Sequence, residues 1–351
     1  MYIVVAMIAF GLLIAVHELG HFTAAKLLHV RVIEFAIGMG PKLLKKQGKE
    51  TFYTLRLLPF GGFCAMDEDV SSDDPRSFTA QKRWRRVVIL AAGGIANIIA
   101  ATIIIIILVA GMDWFAGTTL TGFAEDFPNE GEQGLMVGDT ILSINGERLY
   151  YMDDFSMIMQ FVTDNKVDLV IRRDGEKITI DNFPLELREY IVDGLSWLRY
   201  GLSFNRIDSN FAEGLKYSGY MVMNFVRLIR FSIAQLISGA AGVRDLAGPV
   251  AIVSAMNDIG RSAQTVGAAI ANIAYFIAFI GVNIAIVNLL PIPAMDGGRI
   301  LFVILTWVIE KIMRRRIDAK YEGYIHTTVL VLLMGFMVFT LVNDVLRIIN
   351  G

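Results

Sequence analysis

The chain has 351 residues, of which 55% are hydrophobic and 19% charged, with a formal net charge of -2. Together with a mean hydropathy of +0.55, that apolar share exceeds the usual value for a soluble globular domain and places much of the chain in lipid, while the near-balanced charge offers nothing to a nucleic acid. The single cysteine, Cys64, excludes an internal disulfide and a cysteine-based zinc site.

A membrane span needs about 20 largely apolar residues. Four stretches meet this: residues 2–25, 87–114, 268–290 and 326–346. The first lacks the basic start and small-residue cleavage site of a signal peptide and reads as a retained helix. The second carries an isoleucine run at 103–107, and the third continues past a proline-rich break to residue 309. Basic residues follow the first span (Lys26, Arg31, Lys42, Lys45, Lys46, Lys49, Arg56), precede the second (Lys82, Arg83, Arg85, Arg86) and follow the third (Lys311, Arg314, Arg315, Arg316). The positive-inside rule makes those ends cytosolic. Both termini and residues 117–262 are then extracytoplasmic, in a multi-pass protein of the cell (inner or plasma) membrane.

The segments between the spans complete a polytopic α-helical organisation. Residues 30–59 are too polar and too rich in glycine to cross. Residues 30–37 and 51–58 read as two strands, and we expect a β-hairpin re-entering the membrane beside the first helix. Such backbone is tolerated at that depth where protein or a wet cavity satisfies it; an ordinary cytosolic hairpin is the alternative. This completes an N-terminal membrane core, residues 1–116. The acidic run at 67–74 reads as a solvated cytosolic loop. Residues 117–190 read as a small α/β module. Residues 139–144 alternate like a strand and end at Asn145-Gly146, Asp153 is placed to cap a helix through about residue 162, and 167–172 and 177–180 flank Asp174-Gly175, a second hairpin signal. Residues 191–262 form a linker. Within it, residues 211–238 are apolar but carry Glu213, Lys216, Arg227 and Arg230, which fits an amphipathic helix on the outer face. Residues 263–351 form the C-terminal membrane core.

The chemistry concentrates in two places. His17-Glu18-Leu19-Gly20-His21 is an H-E-x-x-H pattern inside an apolar helix. Positions i and i+4 share a helix face about 5–6 Å apart, so two imidazoles can converge on one Zn²⁺. Zinc brings the pKa of its water to about 7, and the adjacent Glu18 carboxylate can take the proton as general base. Ionisable groups inside a span are costly and are functional candidates by default. At 1.5 Å per residue, His17 lies about 22 Å from the helix start, in the cytosolic third of the hydrocarbon. A catalytic zinc needs a third protein ligand. His29 lies about 12 Å along from His21, too far to join the same ion. His326 is a weak candidate. Asp296 is the best one: it follows Pro291 and Pro293 and precedes Gly297-Gly298, where a helix must break within the membrane. Asn283 and Asn288, with the break prolines, could orient the site or hold substrate backbone; amides that bridge helices are the alternative.

An HExxH in the first helix together with N-x-x-P-x-P-x-x-D-G in a later one (Asn288 to Gly297) resembles the site-2 protease family of intramembrane zinc metalloproteases, and most closely its bacterial branch with a single PDZ domain. The resemblance covers nearly the whole chain. Further matching pieces are Gly38-Met39-Gly40-Pro41 in the hairpin, Ala92-Gly93 with Asn97 in the second helix, and Gly248-Pro249-Val250 before the third. It implies one zinc per chain, held by His17, His21 and Asp296, with Glu18 as general base. Asn283, Asn288, Pro291, Pro293, Gly38 and Gly40 are then the substrate-binding candidates. It also implies single-pass membrane substrates in the bilayer, such as anti-sigma factors or signal-peptide remnants, first shortened by an upstream site-1 type protease, and a PDZ-like module at 117–190 that filters out bulky ectodomains. Met295 stands where the family usually has leucine, Gly94 replaces a frequent proline, and Glu132-Gln133-Gly134-Leu135 and Val137 depart from the usual approach to the PDZ-like core. The rivals are an inactive membrane scaffold, which would show a broken motif, and a metal transporter, which would show polar residues along several helices. The sequence has neither feature.

Overall fold

The computed structural model describes residues 2–67, 74–192, 195–240, 242, 248–314 and 320–350. Most of the acidic run at 67–74, and Arg315 and Arg316, lie outside the described residues. The chain divides into two compact units, Met1–Ile105 with Ser232–Gly351, and Ile106–Phe231.

The first unit is a helical core around α1 (Tyr2–Leu27), α2 (Arg83–Val109), α5 (Pro249–Ser262), α6 (Val266–Leu289), α7 (Asp296–Met313) and α8 (Lys320–Asn350). On α1, Ala9, Leu13, His17, His21 and Ala25 form one buried stripe at four-residue spacing, while Ile8, Leu12, Leu19 and Leu27 are exposed. On α2, Gly93, Asn97, Ala101 and Ile105 are buried, whereas Ile95, Ile99, Ile103 and Ile107 stand 49–68% exposed on the opposite side. A protein in water would hide that isoleucine stripe; here it is the face a lipid tail would cover. Lipid gives apolar helices no hydrophobic reason to associate, so close packing depends on small residues. At Gly20 a Cβ would fall 2.8 Å from the Ala96 Cβ and run into the Ala92 carbonyl. Glycine there lets α1 and α2 touch backbone to backbone.

The expected hairpin is present but longer than the 30–59 segment: β1 spans Val32–Gln47 and β2 Phe52–Met66. Phe35 pairs with both Tyr53 and Cys64, and Ile37 with both Leu55 and Gly62, while Leu44–Gln47 pair back onto Phe52–Leu55. The two strands therefore bend into a four-segment sheet in the order 62–66, 32–37, 52–55, 44–47. The bends are made by glycines at positive φ, Gly38 and Gly40 in β1 and Gly61 in β2, a region that side chains rarely adopt. Segment 62–66 stands at one end of that order.

The second unit is built on a six-stranded sheet in the order β10-β3-β4-β6-β7, with β5 on β4. Its strands are β3 (Trp114–Phe123), β4 (Thr140–Ile144), β5 (Glu147–Arg148), β6 (Lys166–Arg173), β7 (Glu176–Pro184) and β10 (Leu202–Asp208); β8 (Arg188–Val192) and β9 (Leu195–Arg199) form a separate hairpin. Both hairpin signals are realised. Asn145 and Gly146, then Asp174 and Gly175, all have positive φ, as tight two-residue turns require. The helix α3 (Met152–Met159) stops short of residue 162, and its first turn is held by Asp154 rather than Asp153: the Tyr151 N–H donates to Asp154 Oδ2 at 3.0 Å. Because β10 pairs with β3, the sheet runs beyond residue 190 to Asp208. The core comprises Leu120, Leu135, Ile141, Ile144, Leu169, Ile171 and their neighbours.

Helix α4 (Phe211–Ser238) is long and apolar enough to cross a membrane by length and composition, which makes five such helices among the described residues rather than four. Its polar side chains are engaged by the module. Arg227 donates to Asp154 Oδ1 at 2.9 Å and to Glu147 Oε2 at 3.2 Å, and Tyr217 donates to Asp153 at 2.8 Å. Burial alone would raise the Glu147 carboxyl, but hydrogen bonds from Arg230 and Arg227 outweigh it and hold it below its usual range. Asp154 is only 1% exposed. Removing its cation strands a buried charge, which costs about 3–5 kcal/mol. Arg227→Met should therefore lower the module's calorimetric melting transition by about 10 °C or more; an unchanged transition would mean that the pair adds nothing.

Candidate metal centre

Three donor atoms converge between α1 and the start of α7. His17 Nε2 lies 3.0 Å from Asp296 Oδ2, His21 Nε2 lies 3.2 Å from the same oxygen, and the two imidazole nitrogens are 3.2 Å apart. Two atoms each about 2.0–2.1 Å from one tetrahedral ion sit about 3.3 Å from each other. The spacing therefore fits a single zinc, and among the described residues this is the one His/Cys/Asp/Glu group so arranged.

The tautomers agree with a cation. His21 Nδ1 lies 2.8 Å from the Ile89 carbonyl, which can only accept, so Nδ1 carries a proton and the neutral ring presents its Nε2 lone pair. Bare lone pairs and a carboxylate oxygen at this distance would repel, so a proton or a metal ion sits among them.

Each ligand is placed by local sequence. The four-residue spacing puts both histidines on the buried stripe of α1, their rings edge to face with centroids 4.8 Å apart. Gly93 of α2 leaves room for them: a Cβ there would be 2.7 Å from His17 Nε2 and closer still to His21 Nε2. Asp296 is the first residue of α7, where the helix dipole favours a carboxylate. Ahead of it α6 ends at Leu289, and the break at 290–295 partly satisfies its own backbone, Leu290 N–H to Ile286 O at 3.0 Å and Met295 N–H to Ile292 O at 3.2 Å. Ala294 takes φ 75° there, a strained conformation that recurs at functional sites. Gly297 and Gly298 have no space for a Cβ, which would strike the carbonyls of Leu289, Leu290 and Ile292.

Glu18 faces the same cavity of about 320 Å³, whose wall also includes Phe63, Cys64, Asn288 and Arg299. The Cys64 backbone hydrogen-bonds the Glu18 carboxylate, and a Cβ on Gly62 would lie 3.5 Å from Glu18 Cγ. Segment 62–66 of the β1–β2 sheet thus borders the site. Asn288 Nδ2 is 3.4 Å from His17 Nε2. Asn283, Pro291, Pro293, Gly38 and Gly40 are not in the cavity wall; the prolines break the helix and the glycines turn β1. Sequence reasoning missed the 62–66 segment and Arg299. The expected second strand ends at residue 58, whereas β2 continues to Met66.

The family model described as peptidase family M50 matches residues 5–336. A Clostridium perfringens protein provisionally named a zinc metalloprotease is 36% identical over 357 residues, covering 99% of each chain. A similarly named protein of Clostridium acetobutylicum is 35% identical over 353 residues, covering 99% of this chain and 98% of that one. The regulator of sigma-W protease RasP of Bacillus subtilis is 26% identical over 428 residues, covering 99% and 98%.

One substitution tests the packing behind this geometry. Gly93→Ala places a methyl group where the two Nε2 atoms meet. The variant should fold and insert normally but retain less than a tenth of the zinc of the parent protein, measured by plasma emission after dialysis; full zinc occupancy would contradict the close approach.

Proposed function

The chain belongs to peptidase family M50 and is a multi-pass membrane zinc metalloprotease; from that premise we propose that it hydrolyses peptide bonds within or near the transmembrane segments of single-pass membrane proteins, using His17, His21 and Asp296 as zinc ligands and Glu18 as general base. The observation that carries this reading is the meeting of the three donor atoms within 3.2 Å, in a cavity that also holds Glu18.

Zinc bound by these residues supplies Lewis acidity, which polarises a carbonyl and acidifies water. The chain's own groups do the rest. Glu18 takes a proton from the attacking water, whose oxygen bonds to the scissile carbonyl carbon. As the C–N bond breaks, Glu18 passes that proton to the leaving amine. Asn288 has an amide N–H beside His17 with which to hold the substrate carbonyl as negative charge develops on its oxygen.

A transmembrane helix hides its amides in its own hydrogen bonds, so it must unwind before it is cut. An edge strand of the β1–β2 hairpin gives the unwound segment backbone partners by strand addition; the hairpin's position beside Glu18 supports this. Gly38 and Gly40 bend the sheet, and Asn283, Pro291 and Pro293 support the break that positions Asp296.

We read the chain as a protein of the cell membrane with both termini and the sheet module extracytoplasmic and the metal site toward the cytosol. Helix α4, bound to the module through its charged side chains, lies on the outer surface. The Bacillus subtilis relative is named a regulator of sigma-W protease, which supports anti-sigma factors as one substrate class. Signal-peptide remnants as a second class, and prior shortening by a site-1 type protease, follow from the resemblance to the site-2 protease family. The module is PDZ-like and excludes long ectodomains.

In reconstituted membranes the parent protein should cleave a transmembrane reporter with a trimmed ectodomain. Glu18→Gln should cleave about 10²–10⁴-fold more slowly with unchanged zinc content. Equal cleavage by both would remove Glu18 from the chemistry. Replacing the module by a flexible linker should admit reporters with long ectodomains at an unchanged rate for short ones; unchanged selection would dismiss the filter.

A further inference from the structure

Two buried polar groups near the metal centre have no hydrogen-bond partner in the protein: His17 Nδ1 and both ends of the Asn97 carboxamide. Asn97 is 0% exposed, and a buried amide without partners is rare enough to require an explanation. His17 Nδ1 has the same need. With Nε2 turned to Asp296 and His21, Nδ1 carries the ring proton, and a metal-binding histidine almost always donates that proton to an acceptor that fixes its orientation. His21 has such an acceptor in the Ile89 carbonyl, at 2.8 Å.

The register of the two helices puts the orphaned groups side by side. The helices run antiparallel. Ile89 meets His21, Gly93 faces both imidazoles, and Ala92 and Ala96 meet Gly20. Two turns beyond Ile89, the Asn97 carbonyl lies 3.8 Å, and the Leu13 side chain 3.1 Å, from a Cβ built on Gly281. Asn97 therefore lies along α2 between the levels of His17 and Leu13, on the same buried stripe as Gly93. Its Cα–Cβ bond tilts toward the N-terminus of α2, which carries the carboxamide back toward the level of His17.

We propose that Asn97 is a positioning residue for the zinc site: its carboxamide oxygen accepts the His17 Nδ1–H across one buried water and holds the ring with Nε2 aimed at the ion. His17 Nδ1 and the two ends of the Asn97 carboxamide are the polar partners that one such water would take. Residues one turn either side of Gly93 thereby orient the two histidines, Ile89 through its backbone and Asn97 through its side chain. The inference rests on His17 being a zinc ligand.

The test is the zinc dissociation constant of the purified full-length protein, measured by competition with a chelator, together with the melting temperature of the metal-free form. Asn97→Leu keeps the shape and removes the acceptor. It should weaken zinc binding about 10- to 100-fold while the metal-free protein melts no lower than the parent. Asn97→Asp restores an acceptor and should bind zinc within about threefold of the parent, on the same outer-shell reasoning. Zinc affinity unchanged in Asn97→Leu, or lost equally in Leu and Asp variants, overturns the proposal. If the Leu variant cannot be recovered, Asn97→Ser takes its place and should bind more weakly than Asn97→Asp; the reverse order contradicts it. His17→Ala serves as the control. If that variant keeps the parent's zinc affinity, the ligand assignment itself has failed, an outcome distinct from failure of the Asn97 link.

Discussion

Two imidazole nitrogens and a carboxylate oxygen held 3.0–3.2 Å apart inside a bundle of apolar helices need a proton or a metal ion among them. In water such a cluster could relax apart or be screened. In a low-dielectric interior the repulsion among lone pairs and negative charge is several-fold stronger, and the cost of burying each group is added to it. The rest of the helical core can be read as what keeps these atoms together. Glycines at 20 and 93 let α1 and α2 approach until the histidines fit between them. The break between α6 and α7 turns a would-be continuous span into a helix start that carries Asp296 inward.

The same break explains why irregular backbone is present at all. Non-helical segments in a membrane protein survive where protein or a wet cavity meets their hydrogen bonds. Both irregular elements, residues 290–295 and the bent β1–β2 sheet, border the cavity that holds Glu18. One brings Asp296; the other brings a strand against Glu18. Under the proposed function both matter, because a helical substrate exchanges its own hydrogen bonds for new ones before any carbonyl can be reached.

Much of this was legible in the sequence because the decisive signals are local. The i, i+4 histidines, the Pro-x-Pro…Asp-Gly-Gly break and the Asn-Gly and Asp-Gly turns each act within a few residues, and each is found where the spacing put it. The misreadings share a cause, dependence on partners far along the chain. The expected strand at 51–58 stops short of segment 62–66, which joins β2 only through its pairing with 32–37. β10 was assigned to a linker because its partner, β3, lies some 80 residues earlier. Asp153 reads as the helix cap in sequence, and only tertiary structure reveals that Arg227 compensates the buried Asp154. For α4, composition allows a span or a surface helix, and its ion pairs with Asp154 and Glu147 are invisible in sequence.

The account's central claim is the ligand set, and X-ray absorption at the zinc edge of the purified protein tests it most directly. One zinc per chain should appear with a shell of only nitrogen and oxygen at about 2.0–2.1 Å, imidazole scattering from two rings, and loss of the metal in Asp296→Ala. A sulfur shell at about 2.3 Å would bring Cys64 into the coordination sphere, and unchanged zinc in Asp296→Ala would remove α7 from it. Either result would contradict the site described.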